Sequence, residues 1–571
     1  MTKNAKADII RLAVALLATV AFLTALYKMG GIWFENNDDV FISETLSGKI
    51  TGTPEWHNPH IGTLLTFPIA CLYSLTNAVP WWGLFLFLIL FSVIFLNVYM
   101  VLTGAGSWVK AGVFFVVEMC AFIAGIHCFG QAQYTCVAIL LAFAGYAMVL
   151  FNAESKGALA GFIICEFLSC TLRIDSMMLV QPIGMLGLFG TQAMKYFKKS
   201  GIKKLFRRLL PFVVTVFSVI ILTKAVNIIT FSSPEWKAFN RFHDFRIYVM
   251  DYEPKVPYET IADTLTKHGI SRVDYEQFLD YRFWYGDNRF SGEAINDLLP
   301  IFRSIRESEA KKGNFFAAFM QLLVTSREFW HLHQVTFFVF TVSVVMVLLF
   351  RKRAYLFPIL SVFVGYLMSI GFLGFRNRFV LRVLMPTYLG TILLLVIIMA
   401  RLFCELTKSE IKEPVMIVLT SFFTVLFMAF SLHIGRVQFA YVRLQNKLVN
   451  TNAFAEAREL AEYCRSHEEE HYIFDMSFAR FVSTDIFERD YYRRANHVYS
   501  GSWVSGTPTM TEYCRDYLKD GFAVFVYEAQ EYRGLSGVDF YSEKFGSEAV
   551  LSNKFKLSTG ATMWVYKIAG N

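Results

Sequence analysis

The sequence predicts an α-helical polytopic membrane protein of about 11 spans, with a small extracytoplasmic α/β domain at its C-terminal end. Three observations predict it. The first is composition. Of 571 residues, 55% are hydrophobic, 17% aromatic and only 18% charged, at a mean hydropathy of +0.43. A soluble domain carries about 25% charged residues, so this chain could not cover its own surface in water. An ordinary soluble enzyme, a disordered chain and a coiled coil are all excluded. The second is a series of charge-free runs of membrane length. The third is where the net charge of +8, 54 Lys+Arg against 46 Asp+Glu, falls along the chain.

From the N-terminus, the 16 uncharged residues Leu12 to Tyr27 read as a first helix, uncleaved because no small-x-small site follows the run. Residues 111–152 hold two spans with only Glu118 charged inside them. Residues 157–194 hold two more, interrupted at Leu172–Ser176, and 209–231 holds another. Phe329–Phe350, Ala354–Phe375, Val383–Ala400 and Pro414–Gly435 are each long enough to cross. Trp56–Val109 contains no Asp, Glu, Lys or Arg, and parity decides how it is used. With only 81–103 spanning, Lys110, Lys156, the cluster Lys195–Arg208, the triplet Arg351–Lys352–Arg353 and Arg401/Lys408/Lys412 all share the N-terminal, cytoplasmic side, as the positive-inside rule asks. Residues 61–78, which contain Pro68, then form an amphipathic or re-entrant element.

This topology gives a membrane domain, 1–434, with external loops at 30–80 and 232–328, and an extracytoplasmic domain, 435–571. The larger loop predicts helices at Tyr258–Leu265, Tyr275–Phe283 and Glu293–Ile305. The tail predicts a helix at Phe454–Arg465 and strands at His471–Phe474, Ala523–Tyr527 and Met563–Ile568. Cys464 and Cys514 fall in this tail, where a disulfide is allowed but not required. No CxxC pair or His-x-x-x-His on a helix suggests a zinc site.

Charges at or in the bilayer are expensive and mark function by default. Directly after the first helix stand Glu35, Asp38, Asp39 and Glu44, four acids within ten residues. Adjacent carboxylates raise each other's pKa, which suits a general base, and they also coordinate divalent cations; a solvated helix N-cap is the bland reading. Between two apolar halves lie Arg173 and Asp175, either a structural pair or a phosphate contact oriented by the acid. Arg376, Arg378 and Arg382, followed by Pro386, stand on the outer side against the positive-inside rule, and an anionic head group there supplies the reason. Lys224, near the outer end of its span, reaches phosphate or snorkels. His57 and His60 flank Asn58-Pro59 in the first loop. The aromatic run Tyr281–Tyr285 suits stacking on sugar faces or a packed helix face. The basic cytoplasmic cluster orients the helices and touches anionic lipid rather than nucleic acid.

Acids directly after the first helix, outward arginines late in the chain and a soluble C-terminal domain together resemble the GT-C superfamily of polytopic membrane glycosyltransferases. The run Asp39–Gly48, with His57, Asn58 and Gly62 downstream, is similar to uncharacterised members from bacterial surface-polysaccharide gene clusters. The resemblance implies a sugar taken from a polyprenyl-phosphate donor and passed, with inversion, to a cell-surface glycan or lipid-linked acceptor at the outer face of the bacterial plasma membrane. It places Asp38 and Asp39 as base or metal ligands, so that a divalent cation is an open possibility. Arg173, Arg376, Arg378, Arg382 and Lys224 fall at the carrier phosphate, and Glu44, His57, His60 and Asp175 support the first loop or acceptor. The resemblance covers the membrane half well and the tail poorly. No WWDYG-type motif is present, so transfer to protein Asn is not implied. The alternatives are a lipid-linked polysaccharide polymerase or ligase, which explains the arginines but not the acids, a flippase or transporter, and a non-enzymatic glycan-binding scaffold.

Overall fold

The computed structural model describes residues 3–35, 37–251, 255–279, 290, 292–311, 332–376, 379–406, 414–449, 452–474, 486–487, 495–528 and 538–570. The chain begins with α1 (Lys3–Gly30), β1 (Trp33–Phe34), α2 (Asn37–Ser47), α3 (Thr63–Leu75), α4 (Trp81–Gly104), α5 (Trp108–Ala124), a single turn α6 (His127–Gly130) and β2 (Gln131–Ala132). It continues with α7 (Tyr134–Asn152), α8 (Lys156–Leu172) and α9 (Ile174–Thr230), which is two spanning helices joined at Gly201. The backbone there turns left-handed, φ +73°, a conformation that costs Gly little and other residues more. After the helices of the larger loop come α14 (Leu332–Leu349), α15 (Leu356–Phe375), α16 (Leu381–Glu405) and α17 (Pro414–Val449).

Nine helices among the described residues are long and apolar enough to cross a membrane. The chain is an integral membrane protein. Helices α5 and α8, at 17 residues each, are at the lower end of a spanning length, and each carries a fully buried acid, Glu118 and Glu166. With them the bundle has the eleven spans that the hydropathy predicts. Segment 61–78 becomes the short apolar helix α3, tucked against α2, α8 and α9 rather than crossing.

Equal hydropathy hides two environments. The α7 and α16 windows are 89% and 94% buried, while those of α1 and α17 are 22% and 17% buried. The first pair forms the middle of the bundle; the second shows Leu16, Leu17, Phe422 and Val425 outward, where lipid replaces protein contact. Lipid tails are as apolar as Leu, so close packing rather than water exclusion holds such helices together. Small residues supply it: a Cβ on Gly390 would fall 2.0 Å from the ring of Phe143, and one on Gly365 2.4 Å from the Pro182 carbonyl.

The basic loops meet at one end of the bundle. Arg11 lies over the Trp108 ring at 5.4 Å, Lys110 Nζ donates to the carbonyls of Phe403 and Leu406, Arg401 to that of Leu150, and Lys195 pairs with Glu154 at 2.6 Å. The opposite end carries everything else. There the larger loop forms α10 (Pro234–Met250), α11 (Tyr258–Lys267), α12 (Arg272–Leu279) and α13 (Gly292–Lys311), around a core of its own that includes Phe245, Leu265, Phe278 and Phe302. The aromatic run Tyr281–Tyr285 lies outside the described residues.

Helix α17 runs on through 435 to Val449, and the tail's own first element is α18 (Asn452–Ser466). Strands β3 (Tyr472–Phe474), β4 (His497–Tyr499), β5 (Phe522–Tyr527), β6 (Val550–Lys556) and β7 (Thr562–Ile568) form a sheet in the order β4-β3-β5-β7-β6. β3 pairs in parallel with β4 and β5, and β7 antiparallel with β5 and β6. Two of these strands had no counterpart in the sequence reading. β4 is three residues long, and β6 is exposed along nearly its whole length, so neither carries an alternating pattern. Helices α19 (Pro508–Tyr517) and α20 (Val538–Phe545) complete the domain. Cys464 and Cys514 are both buried and form no disulfide with each other. The domain seats on the first loop, through Phe41 against Tyr499 at 5.1 Å, and on the start of α4, through Phe487 against Phe87 at 5.2 Å.

Candidate active site

Short backbone pairings fix the acids that follow α1. β1 pairs in parallel with β2, and Glu35 N donates to the Ala132 carbonyl, which holds the chain against the polar break between α6 and α7. Asp38 and Asp39 then fall in the first turn of α2, where unpaired amides favour acids. Asp39 is fully buried, and its Oδ1 accepts from the Tyr134 amide at 3.3 Å. Asp38, about 100° further round the helix, is only partly enclosed.

Three other segments close on these acids. Arg173, between α8 and α9, donates from Nη1 to the Tyr134 hydroxyl at 2.5 Å and lies over that ring at 5.4 Å. Arg382, in the first turn of α16, is near enough for its charge to act on Glu35, Asp39 and His60. Asn58 Oδ1 accepts from the amides of His60 and Ile61, an Asx turn that sets the His60 ring 6.3 Å from Tyr134. Gly62 N donates to the Thr171 carbonyl at 2.7 Å and Thr63 N to Asn227 Oδ1 at 3.0 Å, so the first loop is bolted to α8 and α9 beside Arg173.

Burial pushes Glu35 up to about 7 from 4.5; the charge of Arg382 opposes the rise and that of Asp38 adds to it. Asp39 lies well above the ordinary carboxylate range, from burial first and Asp38 next. His60 lies well below the ordinary imidazole value, through burial and then the charges of Arg173, Arg246 and Arg382. The raised Glu35 has a thermodynamic consequence. Its native carboxyl keeps a proton that the unfolded chain releases between 4.5 and about 7. Stability therefore falls as pH rises through that window, by about 3 kcal/mol in all, and is level above it. Unfolding midpoints measured from about pH 5 to about pH 8 should show this slope in the wild type and lose it in Glu35→Gln.

The structure thus brings together Asp38, Asp39, Arg173, Arg382 and His60. Other candidates stand elsewhere. Glu44, one side of α2, is buried and pairs with Lys49 at 3.2 Å. Breaking such a pair costs about 3–5 kcal/mol; Lys49→Met should lower the unfolding free energy by that order, and Glu44→Gln in the same chain should restore most of it. His57 Nδ1 lies 2.6 Å from Glu55 and its ring stacks on Trp236 at 4.3 Å, while Glu55 also accepts from Thr509 of the tail domain. This ties loop, α10 and tail together. Asp175 is exposed beside Arg173, on which its charge acts; Lys224 is exposed, and Arg376 is exposed over its own neighbour Phe372 at 5.9 Å. Arg378 lies outside the described residues. Among the described residues no three His, Cys, Asp or Glu side chains gather as a metal site, and the charge of Arg382 acts on Glu35 and Asp39.

Sequence reasoning missed Tyr134, whose signal was the polar break Gln131-Ala132-Gln133-Tyr134 between two apolar runs. It also missed His243, Arg246 and Trp503, which carry no spacing pattern at all.

No protein-family model matches the chain, and no curated protein matches it. Among solved structures the chain is similar to the crystal structure of ArnT from Cupriavidus metallidurans bound to undecaprenyl phosphate, at 10% identity over 98% of this chain and 97% of that one, with a TM-score of 0.47. It is also similar to ArnT of the same organism in the apo state, at 12% identity over 99% and 98%, with a TM-score of 0.37.

Proposed function

We propose that the chain is a glycosyltransferase that passes a sugar from a polyprenyl-phosphate donor to a cell-surface glycan or lipid-linked acceptor at the outer face of the bacterial plasma membrane. The basic end of the bundle faces the cytoplasm, with the N-terminus, and the tail domain lies outside. One observation carries the reading: the acids after the first helix and two arginines from distant segments converge at the end of the bundle that the tail domain covers. An acceptor hydroxyl placed between them loses its proton to Asp38 as its oxygen attacks the anomeric carbon. The bond from that carbon to the phosphate oxygen breaks on the far side, so the configuration inverts. The electron pair stays on the departing phosphate, and Arg173 and Arg382 stabilise it, the charge-matching contribution that usually dominates catalysis.

Asp38 is the better base of the pair. Asp39 is fully buried, accepts a backbone hydrogen bond from Tyr134 and has its pKa pushed well above the ordinary carboxylate range, first by burial, whereas Asp38 is partly exposed. Asp39 then positions α2. Transfer of labelled sugar from a polyprenyl-phosphate sugar by the purified full-length protein tests the reading; no transfer to any glycan or lipid-linked acceptor overturns it. Labelling of a cysteine at position 382 from the cytoplasmic side alone overturns the orientation.

A further inference from the structure

Next to the acids, on the side of the tail domain, lies a niche that the transfer chemistry above does not use. His60 of the first loop, His243 and Arg246 of α10, and Trp503 of the tail domain form it. The His60 ring meets His243 edge to face at 5.2 Å and Trp503 edge to face at 5.3 Å. His243 and Arg246 are three residues apart on one face of α10, and His243 stacks on Phe239 at 5.7 Å.

Trp503 is held firmly. Ser502 and Ser505 exchange hydrogen bonds across it, and Ser505 Oγ donates to the Tyr499 carbonyl at 2.8 Å. Gly506 then lies so close to α10 that a Cβ there would fall 3.1 Å from the Phe242 ring.

Four polar atoms in this niche are buried without a hydrogen-bond partner among the described residues: His60 Nε2, His243 Nδ1, Arg246 Nε and Trp503 Nε1. The residues His243, Arg246 and Trp503 are 6%, 7% and 3% exposed. Arginine Nε and indole Nε1 are donors only, and a neutral imidazole offers one N–H. Buried donors left unmade are expensive, and the Asp251 carboxylate, one-third exposed, stands 3.8 Å from Arg246. A cation is repelled here, because the charges of Arg173 and Arg246 act on both imidazoles.

We propose that this niche seats an anionic group, a phosphate or a carboxylate, carried by the acceptor. The inference rests on the glycosyltransferase reading. The carrier's phosphate is tethered by its lipid tail to the bilayer side, near Arg173 and Arg382. The niche lies instead between the first loop, α10 and the tail domain, the parts built from the large non-membrane pieces. Its donor set matches the acceptor-only oxygens of an oxyanion, and arginine's fork fits either source of them.

Binding can be read without turnover. Full-length protein in detergent is titrated calorimetrically with glucuronic acid, glucose 6-phosphate and glucose. Wild type should bind one or both anionic sugars and bind glucose at least about tenfold more weakly. Arg246→Gln should weaken the anionic sugar by about tenfold or more, and Trp503→Phe, which keeps a ring and removes the N–H, by a smaller factor. Arg382→Gln should lose less than Arg246→Gln. The preferred anion tells carboxylate from phosphate. Unfolding midpoints show that each variant is folded, and Trp503→Phe serves should Arg246→Gln not be. Equal affinity for glucose and both anions overturns the proposal, as does unchanged binding in every folded variant. So does a loss confined to Arg382→Gln, which assigns the anion to the carrier. Sugar transfer with no anion binding removes the niche and leaves the function; anion binding lost in Arg246→Gln without any sugar transfer does the reverse.

Discussion

Asp38→Asn lowers sugar transfer by about 10²–10⁴-fold, the range for removing a general base, and leaves donor affinity unchanged. Asn keeps the shape of the side chain and one acceptor oxygen, so the first turn of α2 stays in place. What it cannot do is take the acceptor's proton as the new bond forms. Asp39→Asn is the informative control. Asp39 is buried, burial first and the charge of Asp38 next raise its pKa well above the ordinary carboxylate range and so favour its neutral form, and its Oδ1 serves the Tyr134 amide. An Asn there retains both features, and transfer should fall by less than about tenfold. Single-turnover rates for the two variants, with folded fractions matched, decide between them. Equal losses in both, or full turnover in Asp38→Asn, would falsify the assignment of the base.

Arg382→Gln lowers transfer by about 10²–10³-fold, as does Arg173→Gln, because each removes a fixed donor from the place where negative charge gathers on the leaving phosphate. The loss falls on kcat more than on KM, since the charge develops in the transition state. Arg382→Lys restores only part of the rate: the charge returns but the planar fork does not. Arg382 also has a second, independent signature. Its charge is what holds Glu35 down, so Arg382→Gln moves the Glu35 step in the stability profile to higher pH. A variant that loses activity without moving that step places Arg382 away from the acids. Arg173→Gln frees the Tyr134 hydroxyl as well, and its loss is therefore accompanied by lower stability.

Much of the fold was legible because the bilayer sets a simple condition. Backbone groups in hydrocarbon must pair internally, so spanning segments are continuous helices and hydropathy finds them. Even the non-spanning α3 could be read, since parity leaves no room for it to cross. Helices α11, α12 and α13 of the large loop and three tail strands also announced themselves through apolar periodicity; α10, β4 and β6 did not, β4 being too short and β6 lying exposed along nearly its whole length.

The candidate site was half legible. Asp38, Asp39, Arg173 and Arg382 stand out because each is a charge at the edge of an apolar run, where placement is costly. Glu44 stood out for the same reason, yet it faces away from Arg382 and meets Lys49. On an 11-residue helix, five or six positions suffice to turn a side chain to another face.

By itself, the sequence determined that the chain is a helical membrane protein, roughly where it crosses, and which charges are expensive. Those properties depend on composition and local periodicity. Only the tertiary structure decided which of those charges meet. Glu35 is set against Ala132 by two residues of strand pairing, Arg382 arrives from a helix far along the chain, and His60, His243, Arg246 and Trp503 come from three separate pieces. Contacts between distant segments depend on how helices pack and where loops are bolted down, and no local pattern of residues encodes them.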